Sequence, residues 1–214
     1  MCGRYSHSKE HRYDVHIGDY RIVVIMGRRF NIAPTQKHPV IKLEEGKPVL
    51  KEMQWGLIPF FSKEPKMEFT TINAKAETLN SRPMWKRLLK DKRCLIPADG
   101  FYEWEKAGDA KKPWRFVLKN REPFLFAGLW DQWSDANQDL QTFTIITVPA
   151  NPLVSKVHNR MPCILPQSAY EAWLREPRQD LLVPYPESEM EAYRVNPIVN
   201  SSKNEMEACI EPWK

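Results

Sequence analysis

Residues 94–106 read CLIPADGFYEWEK, and this stretch contains the pattern that recurs along the chain. Runs of aromatic and β-branched residues at its two ends are separated by a proline and a glycine. Such runs between turn-forming residues are typical of short β-strands. Because successive side chains of a strand alternate between faces, Glu103 would share a face with Phe101 and Glu105. The stretch predicts a strand-rich fold that holds a carboxylate among aromatic rings.

The same pattern predicts further strands and a few helices. A hairpin is predicted where the turn-rich EEGKP separates residues 40–43 from residues 49–55. The other strand candidates are 94–96, 101–105, 114–118, 124–129, 143–148 and 163–165. Helices are predicted from Ser81 in SRPMWKRLLKDKR and in SAYEAWLRE, where Ser168 and Glu171 have capping-box spacing. We expect a mixed α+β fold with strands in the majority.

Composition predicts one domain. With 214 residues, 42% of them hydrophobic, the chain can form a sizeable core, and residues 1–214 are expected to fold as one unit. The first twenty residues contain no apolar run of signal-peptide length, and residues 22–26 are too few to cross a bilayer. We expect a cytoplasmic monomer without a membrane anchor. The net charge of +5 is compatible with a phosphate-rich partner without identifying one.

The cysteines and histidines do not predict a metal site. The four cysteines are dispersed without a CxxC pair, which argues against a disulfide framework and a ribbon-type zinc site. Cys94, Cys163 and Cys209 are interpreted as packing residues. His7 and His11 have i, i+4 spacing, but SHSKEHRYDVH is polar throughout and is interpreted as a solvated surface segment. We expect no metal and no cofactor.

The chain opens MCGRY, which places a cysteine directly behind the first methionine. Removal of Met1 would leave Cys2 with a free α-amine beside its thiol. These groups have ordinary pKa values of about 8 and about 8.5, so both have a nucleophilic fraction near neutrality. A 1,2-aminothiol condenses with an aldehyde to an imine and closes to a thiazolidine. Two other interpretations stay open: an N-terminal hydrolase nucleophile, and a frayed terminus without chemistry.

Three further polar residues are candidates for the chemistry. Glu103 among aromatics would have a raised pKa that suits proton transfer, or would be an exposed carboxylate paired with a lysine on an edge strand. His158 in KVHNRMP would act as an acid or base near neutral pH, or make a structural hydrogen bond. Asn73 in TINAKAET would orient a substrate or the terminal amine, or cap a turn.

Basic and aromatic residues near these motifs are candidates for nucleic-acid contacts. Arg4, Lys75 and Arg160 would form a phosphate-binding groove if they cluster, and would otherwise be ordinary surface charge. Phe60 and Phe61 follow WGLIP in a proline-bounded loop, where they would stack on bases or wedge between them. The alternative is that one ring is buried and the other partly exposed.

Eight motifs, in order, resemble those of the SOS-response-associated peptidase (SRAP) family, also called abasic-site processing proteins. The motifs are MCGRY, RFNIAPTQ, WGLIP, INAKAET, RCLIPADGFYEW, AGLW, FTIIT and HNRMP. The match extends over nearly the whole chain, to the closing VNSSKNEMEACIEP. The resemblance implies an α+β domain with a β-barrel-like core, and a protein that crosslinks itself to abasic sites in single-stranded DNA.

The resemblance also implies roles for individual residues. The family's nucleophile, asparagine, glutamate and histidine fall on Cys2, Asn73, Glu103 and His158. Its DNA-contacting arginines fall on Arg4 and Arg160, with Lys75 where many members carry arginine and with Phe60 and Phe61 where some carry tryptophan. Lysine would retain a phosphate contact but lose bidentate geometry.

The implied reaction begins when the Cys2 amine attacks C1′ of the ring-opened abasic deoxyribose. The thiol then captures the Schiff base as a thiazolidine, and a weak lyase activity is expected from β-elimination when capture fails. His158 would assist ring opening, Asn73 would position the amine, and Glu103 would relay protons during imine formation and during self-reversal of the adduct. Two rivals remain. One is a cysteine-type peptidase that uses Cys2 and His158 to cleave peptide bonds, or only the bond after Met1, and the other is a non-catalytic single-strand binding module.

Overall fold

The computed structural model describes residues 2–8, 11–66, 71–108 and 110–213. Strands outnumber helices in these ranges, which confirms the expected α+β class. The strands are β1 (Tyr5–His7), β2 (His11–Ile17), β3 (Tyr20–Met26), β4 (Arg29–Ile32), β5 (Lys37–Glu44), β6 (Lys47–Trp55), β7 (Asn73–Lys75), β8 (Arg93–Ala98), β9 (Gly100–Ala107), β10 (Ala110–Leu118), β11 (Phe124–Ser134), β12 (Asp139–Pro149), β13 (Arg160–Pro162), β14 (Ile164–Leu165) and β15 (Met190–Arg194). The helices are α1 (Pro83–Asp91), α2 (Pro152–Ser155) and α3 (Tyr170–Arg175). No described helix is long and apolar enough to span a bilayer.

Five strands close into a barrel in the order β12–β6–β5–β8–β11, and β11 pairs again with β12. β6 and β12 run parallel, whereas the other neighbours are antiparallel. Gly128 of β11 allows the close packing. A Cβ atom there would lie 2.3 Å from Ile96 Cδ1 and 2.7 Å from the Thr144 carbonyl oxygen. The β-barrel-like core that the sequence predicted is therefore confirmed.

The predicted hairpin around EEGKP is confirmed as β5 and β6. Glu45 and Gly46 form the two-residue turn with φ values of 50° and 77°. A hairpin turn with two left-handed residues matches the right-handed twist of the flanking strands. Each of the other predicted strands overlaps an observed one.

A second sheet has the order β15–β10–β9–β1–β4, so the first strand of the chain lies between two others. A buried network next to β1 fixes it. The Asp99 carboxylate accepts hydrogen bonds from the Ser6 hydroxyl (2.7 Å) and the Ser8 hydroxyl (2.7 Å), and it pairs with Arg115 (2.9 Å). Burial alone would raise the pKa of Asp99, but Arg115 and the two serines hold it below its usual value. The beginning of the chain is therefore part of the core.

The prediction of a solvated segment around the first histidines is wrong for its beginning, whereas Arg12, Asp14 and His16 are exposed as predicted and residues 9–10 lie outside the described residues. His7 and Ser8 are buried, and β2 forms a hairpin with β3 that buries Val15 and Ile17. Side chains alternate along β2, so Val15 and Ile17 face the core and their polar neighbours face away. This alternation of apolar and polar residues is typical of a strand, but the overall polarity of the segment concealed it. Among the described residues no group of His, Cys, Asp or Glu side chains is placed to hold a metal ion.

Both predicted helices form, but their starts differ from the prediction. α1 is preceded by Arg82 with Pro83 in its first turn, and Ser81 instead donates to the Thr78 carbonyl. The capping box of Ser168 and Glu171 does not form, because a 3₁₀ turn over Gln167–Ala169 leads into α3. The carboxyl ends of the two helices are joined by buried Arg93, whose guanidinium donates to the carbonyl oxygens of Leu89, Lys90, Trp173 and Leu174. These bonds satisfy carbonyls that a helix end leaves open.

Candidate active site

Cys2 lies three residues before β1 of the second sheet and is fully buried, so the interpretation of a frayed terminus is wrong. The Tyr102 N–H donates to the Arg4 carbonyl oxygen (3.0 Å), which continues the pairing of β1 with β9 toward the start of the chain. This pairing brings Cys2 beside Glu103. Burial raises the pKa of the Cys2 thiol far above its ordinary value, and the charge of Glu103 raises it further. This raised pKa belongs to the chain that carries Met1, which itself lies outside the described residues, and the nucleophilic fraction expected after Met1 removal stays a prediction.

Asn73 contacts Cys2 directly. It lies on β7, which pairs in parallel with β12 through Ile145. The Asn73 amide Nδ2 donates to the Cys2 carbonyl oxygen at 2.8 Å, while its Oδ1 atom is buried without a hydrogen-bond partner among the described residues. Asn73 therefore has an unused acceptor beside the first peptide bonds of the chain.

Glu103 is buried on β9, with 3% of its surface exposed. β9 is flanked by β1 and β10, so the alternative of an exposed glutamate on an edge strand is wrong. Burial raises the pKa of Glu103 from its ordinary 4.5 to about 7. The direction predicted from its aromatic neighbours is confirmed, and the group is suited to give and take protons near neutral pH.

His158 lies in the turn between α2 and β13, with its Nδ1 atom 4.0 Å from Glu103 Oε1. The Arg160 N–H donates to the same Nδ1 atom at 3.0 Å. A backbone amide can only donate, so this shorter contact favours the neutral tautomer with its proton on Nε2, whereas the Arg160 carbonyl oxygen, 3.3 Å from the same Nδ1 atom, would be paired by the other tautomer. Both β13 and β7 pair with β12. This shared neighbour brings His158, just before β13, and Asn73, on β7, to one region.

The charge of Arg160 is neutralised by Glu77, a residue that the sequence did not indicate as part of the site. Its Nη1 and Nη2 atoms contact Glu77 Oε1 (2.5 Å) and Oε2 (3.0 Å), and Nη2 also donates to the Thr147 carbonyl oxygen (2.5 Å). Arg160 lowers the pKa of Glu77 below its usual value. The motif TINAKAET contained Glu77, but its partner lies 83 positions away in the sequence, and nothing in either motif indicated the pair.

Lys75 and Arg4, the other two candidate cations, have different surroundings from Arg160 and from each other. Lys75 is exposed two residues after Asn73 on β7. Arg4 donates from Nη1 to Asn31 Oδ1 (2.8 Å) and to the Val199 carbonyl oxygen (2.9 Å), and its guanidinium lies 6.0 Å from the Trp104 ring. These partners are neutral, so the charge of Arg4 is not compensated by them although its position is fixed.

Phe60 and Phe61 are both exposed, 54% and 61%, and contact each other edge to face at 5.3 Å. The alternative of one buried ring is wrong. Two residues missed from the sequence hold this loop: the Phe60 N–H donates to Asp131 (3.0 Å), and Arg87 pairs with Asp131 while lying 4.3 Å from the Phe60 ring. The loop therefore presents two fixed apolar rings to solvent.

The remaining three cysteines are buried and not in disulfides, as expected for packing residues. Buried Cys94 and Cys163 have thiols whose pKa values burial raises.

Comparison with known proteins relates this arrangement to named relatives. Two Bacillus subtilis proteins are similar along most of the chain. The abasic site processing protein YoqW is 38% identical over 224 residues, covering 99% of both chains. YoaM, of the same description, is 41% identical and covers 82% of this chain and 81% of the relative. The chicken abasic site processing protein HMCES is 34% identical and is matched over 62% of its own length.

Solved structures have the same fold. A Bacteroides thetaiotaomicron protein superposes with a TM-score of 0.77 at 27% identity, covering 87% of this chain and 86% of that one. A phage-related protein from Bordetella bronchiseptica superposes with a TM-score of 0.70 at 30% identity, covering 91% and 94%. The family model described as SOS response associated peptidase (SRAP) matches residues 1–202. Because this family model matches most of the chain and YoqW is 38% identical over nearly its whole length, this chain belongs to the SRAP family.

Proposed function

We propose that this protein processes abasic sites in single-stranded DNA by forming a covalent thiazolidine through Cys2. The observation that carries the proposal is the convergence of Cys2 with Asn73 and Glu103, in which the Asn73 amide contacts the Cys2 carbonyl at 2.8 Å. Relatives named for abasic site processing support the substrate.

The reaction requires Met1 to be removed so that the Cys2 amine is free. The amine adds to the C1′ aldehyde of the ring-opened abasic sugar, and loss of water leaves an imine. The thiol sulfur then bonds to the same carbon while its proton leaves, so that aldehyde and aminothiol yield thiazolidine and water. Glu103, with a pKa of about 7, first supplies a proton to the departing hydroxyl, so that the imine nitrogen keeps its own proton, and then takes back the thiol proton when sulfur bonds to the carbon.

The remaining site residues assist in defined ways. In the tautomer that accepts from the Arg160 N–H, His158 carries its proton on Nε2 and donates it to the sugar ring oxygen as the ring opens. Asn73 holds the Cys2 backbone and offers its free Oδ1 to the amine. Arg4, Lys75 and Arg160 bind phosphates, and Phe60 and Phe61 stack on neighbouring bases. If thiol capture fails, the Schiff base permits β-elimination and a weak lyase activity.

The peptidase rival is less well supported. A cysteine peptidase uses a thiolate, which neighbouring positive charge stabilises. In the chain that carries Met1, burial and the carboxylate of Glu103 raise the pKa of the Cys2 thiol, so this environment opposes a thiolate. An amine that attacks first, followed by a neutral thiol that adds to an imine, fits this environment better.

The test is an intact-protein mass spectrum before and after incubation with a single-stranded oligonucleotide carrying one abasic site. We expect loss of Met1 and a heat-stable adduct with DNA. The adduct should be absent in Cys2→Ala and present in the matched variant Cys209→Ala. Cys2→Ser should lose the stable adduct but still nick the DNA. Retention of Met1, or no adduct from the Met1-free protein, would favour the peptidase or the binding module.

A further inference from the structure

A cavity of about 300 Å³ lies on the same face of the second sheet as Glu103. Trp114 is directly opposite Glu103 in the antiparallel β9–β10 ladder. Directly opposite residues of a ladder project from the same face. Trp114 therefore borders both Glu103 and this cavity.

The cavity has one aromatic wall, an apolar floor and a polar rim. Trp114 and buried Phe116 line it from the sheet, and Leu153 and Val157 line it from α2 and the turn after it. Val157 immediately precedes His158, so the cavity lies next to His158 and Glu103. These are the two groups to which the proposed function assigns proton transfer. The rim is formed by Glu105 and Lys156, two side chains of opposite charge.

Trp114 is held in a defined orientation. Its indole Nε1 donates to Glu105 Oε2 at 3.0 Å. A fixed, half-buried indole face beside apolar side chains is a surface on which a nucleobase stacks. The carboxylate and the ammonium at the rim complement the N–H donors and carbonyl acceptors along the edge of a base.

We propose that this cavity binds the base of a nucleotide adjacent to the abasic one, with Trp114 as the stacking surface. The inference rests on the proposed function, because it requires DNA to pass Glu103 and His158. An abasic sugar has no base that could stack on the protein. A neighbouring base that stacks on Trp114, on the strand next to Glu103, supplies that contact without selecting a sequence.

The test combines base deletion in the DNA with variants at Trp114. Oligonucleotides carry one abasic site and a stable tetrahydrofuran residue, which lacks a base, at the adjacent 5′ or 3′ position. The rate of adduct formation is measured below saturation. We expect base deletion at one of these positions to slow the wild type between about 5-fold and 150-fold, the range of base–aromatic stacking. In Trp114→Leu the same deletion should change the rate less than 2-fold.

Two controls separate stacking from a folding defect. Trp114→Phe retains a ring and should retain most of the sensitivity to base deletion, and Trp213→Leu, which alters an exposed tryptophan, should behave as wild type. A second readout avoids the covalent step. In the Cys2→Ala background, fluorescence of 2-aminopurine beside the abasic site should fall on binding, and Trp114→Leu should abolish that fall.

The outcomes are distinguishable. An adduct whose rate depends on the adjacent base equally in wild type and Trp114→Leu overturns the base subsite and leaves the proposed function intact. If the wild type forms no adduct and binds no abasic oligonucleotide, the proposed function fails, and the subsite fails with it.

Discussion

Asn73 donates its side-chain amide to the carbonyl oxygen of Cys2 at 2.8 Å, across 71 positions of sequence. This bond ties β7 to the first residues of the chain and leaves Asn73 Oδ1 facing no described partner. An amide is suited to this position, because it donates with one atom and accepts with the other.

Replacement of Asn73 should therefore impair the reaction more than the fold. In Asn73→Asp the carboxylate cannot donate to the Cys2 carbonyl and repels it. We therefore expect adduct formation to slow at least 10-fold in this variant, to the same extent as in Asn73→Ala. A buried carbonyl that loses its donor costs about 1–3 kcal/mol, which thermal unfolding would register as a modest shift. Adduct rates equal to wild type in both variants would contradict the assigned role.

Glu103 should make stability depend on pH in a defined direction. Its pKa is raised in the folded protein from 4.5 to about 7, so the folded state retains a proton that the unfolded state releases. The resulting stabilisation is fully present below pH 4.5 and is lost as pH rises through 7. Glu103→Gln, which stays neutral, should match wild type near pH 4.5 and exceed it by a few kcal/mol above pH 7. Urea unfolding at several pH values measures this difference.

The same substitution should remove proton transfer from the reaction. Wild-type adduct formation should show an inflection near pH 7, and Glu103→Gln should be slower and lack that inflection. A variant that is more stable at pH 8 yet less active would separate the catalytic effect from the structural one. An unchanged pH profile in Glu103→Gln would assign the inflection to another group.

Glu77 should act as a competitor for DNA phosphate, because it neutralises Arg160 through both carboxylate oxygens. Glu77→Gln should strengthen binding of single-stranded DNA several-fold. It should also steepen the dependence of log Kd on log salt by up to about 0.7, the increment for one phosphate contact on a single strand. Fluorescence anisotropy at several salt concentrations measures both quantities.

The matched control for Glu77 is Glu45→Gln in the β5–β6 turn, which removes the same charge from an exposed hairpin tip. If both variants bind DNA equally well, the effect of Glu77→Gln is one of net charge only. Weaker binding by Glu77→Gln would mean that the carboxylate positions Arg160 for the phosphate instead of competing with it.

Phe61 should contribute to DNA binding and little to stability, because 61% of its surface is exposed. Phe61→Ala should weaken binding of an abasic oligonucleotide between about 5-fold and 150-fold, the loss expected for one stacked base. Its free energy of unfolding should stay within about 0.5 kcal/mol of wild type. Ile25→Ala, at an exposed apolar residue of β3, is the control and should leave binding unchanged.

The sequence alone determined the local elements of this protein. Alternating and short apolar runs between prolines and glycines predict strands because a strand buries one face, and this period survives in any tertiary context. The turn at Glu45 and Gly46 and the strand β9 that carries Glu103 both followed from such local rules, whereas the burial of Glu103 depended on the sheet order. Where the pattern was diluted by polar residues, as in β2, the local rule failed.

Only the tertiary structure decided which of these groups meet. The insertion of β1 between β9 and β4 buries Cys2 and raises the pKa of its thiol in the chain that carries Met1, since burial depends on strands about 30 and 100 residues away in the sequence. The pairing of Arg160 with Glu77 and the position of Trp114 opposite Glu103 are likewise long-range results of sheet order and register. Register is set by packing of the whole barrel and sheet, and no single motif encodes it.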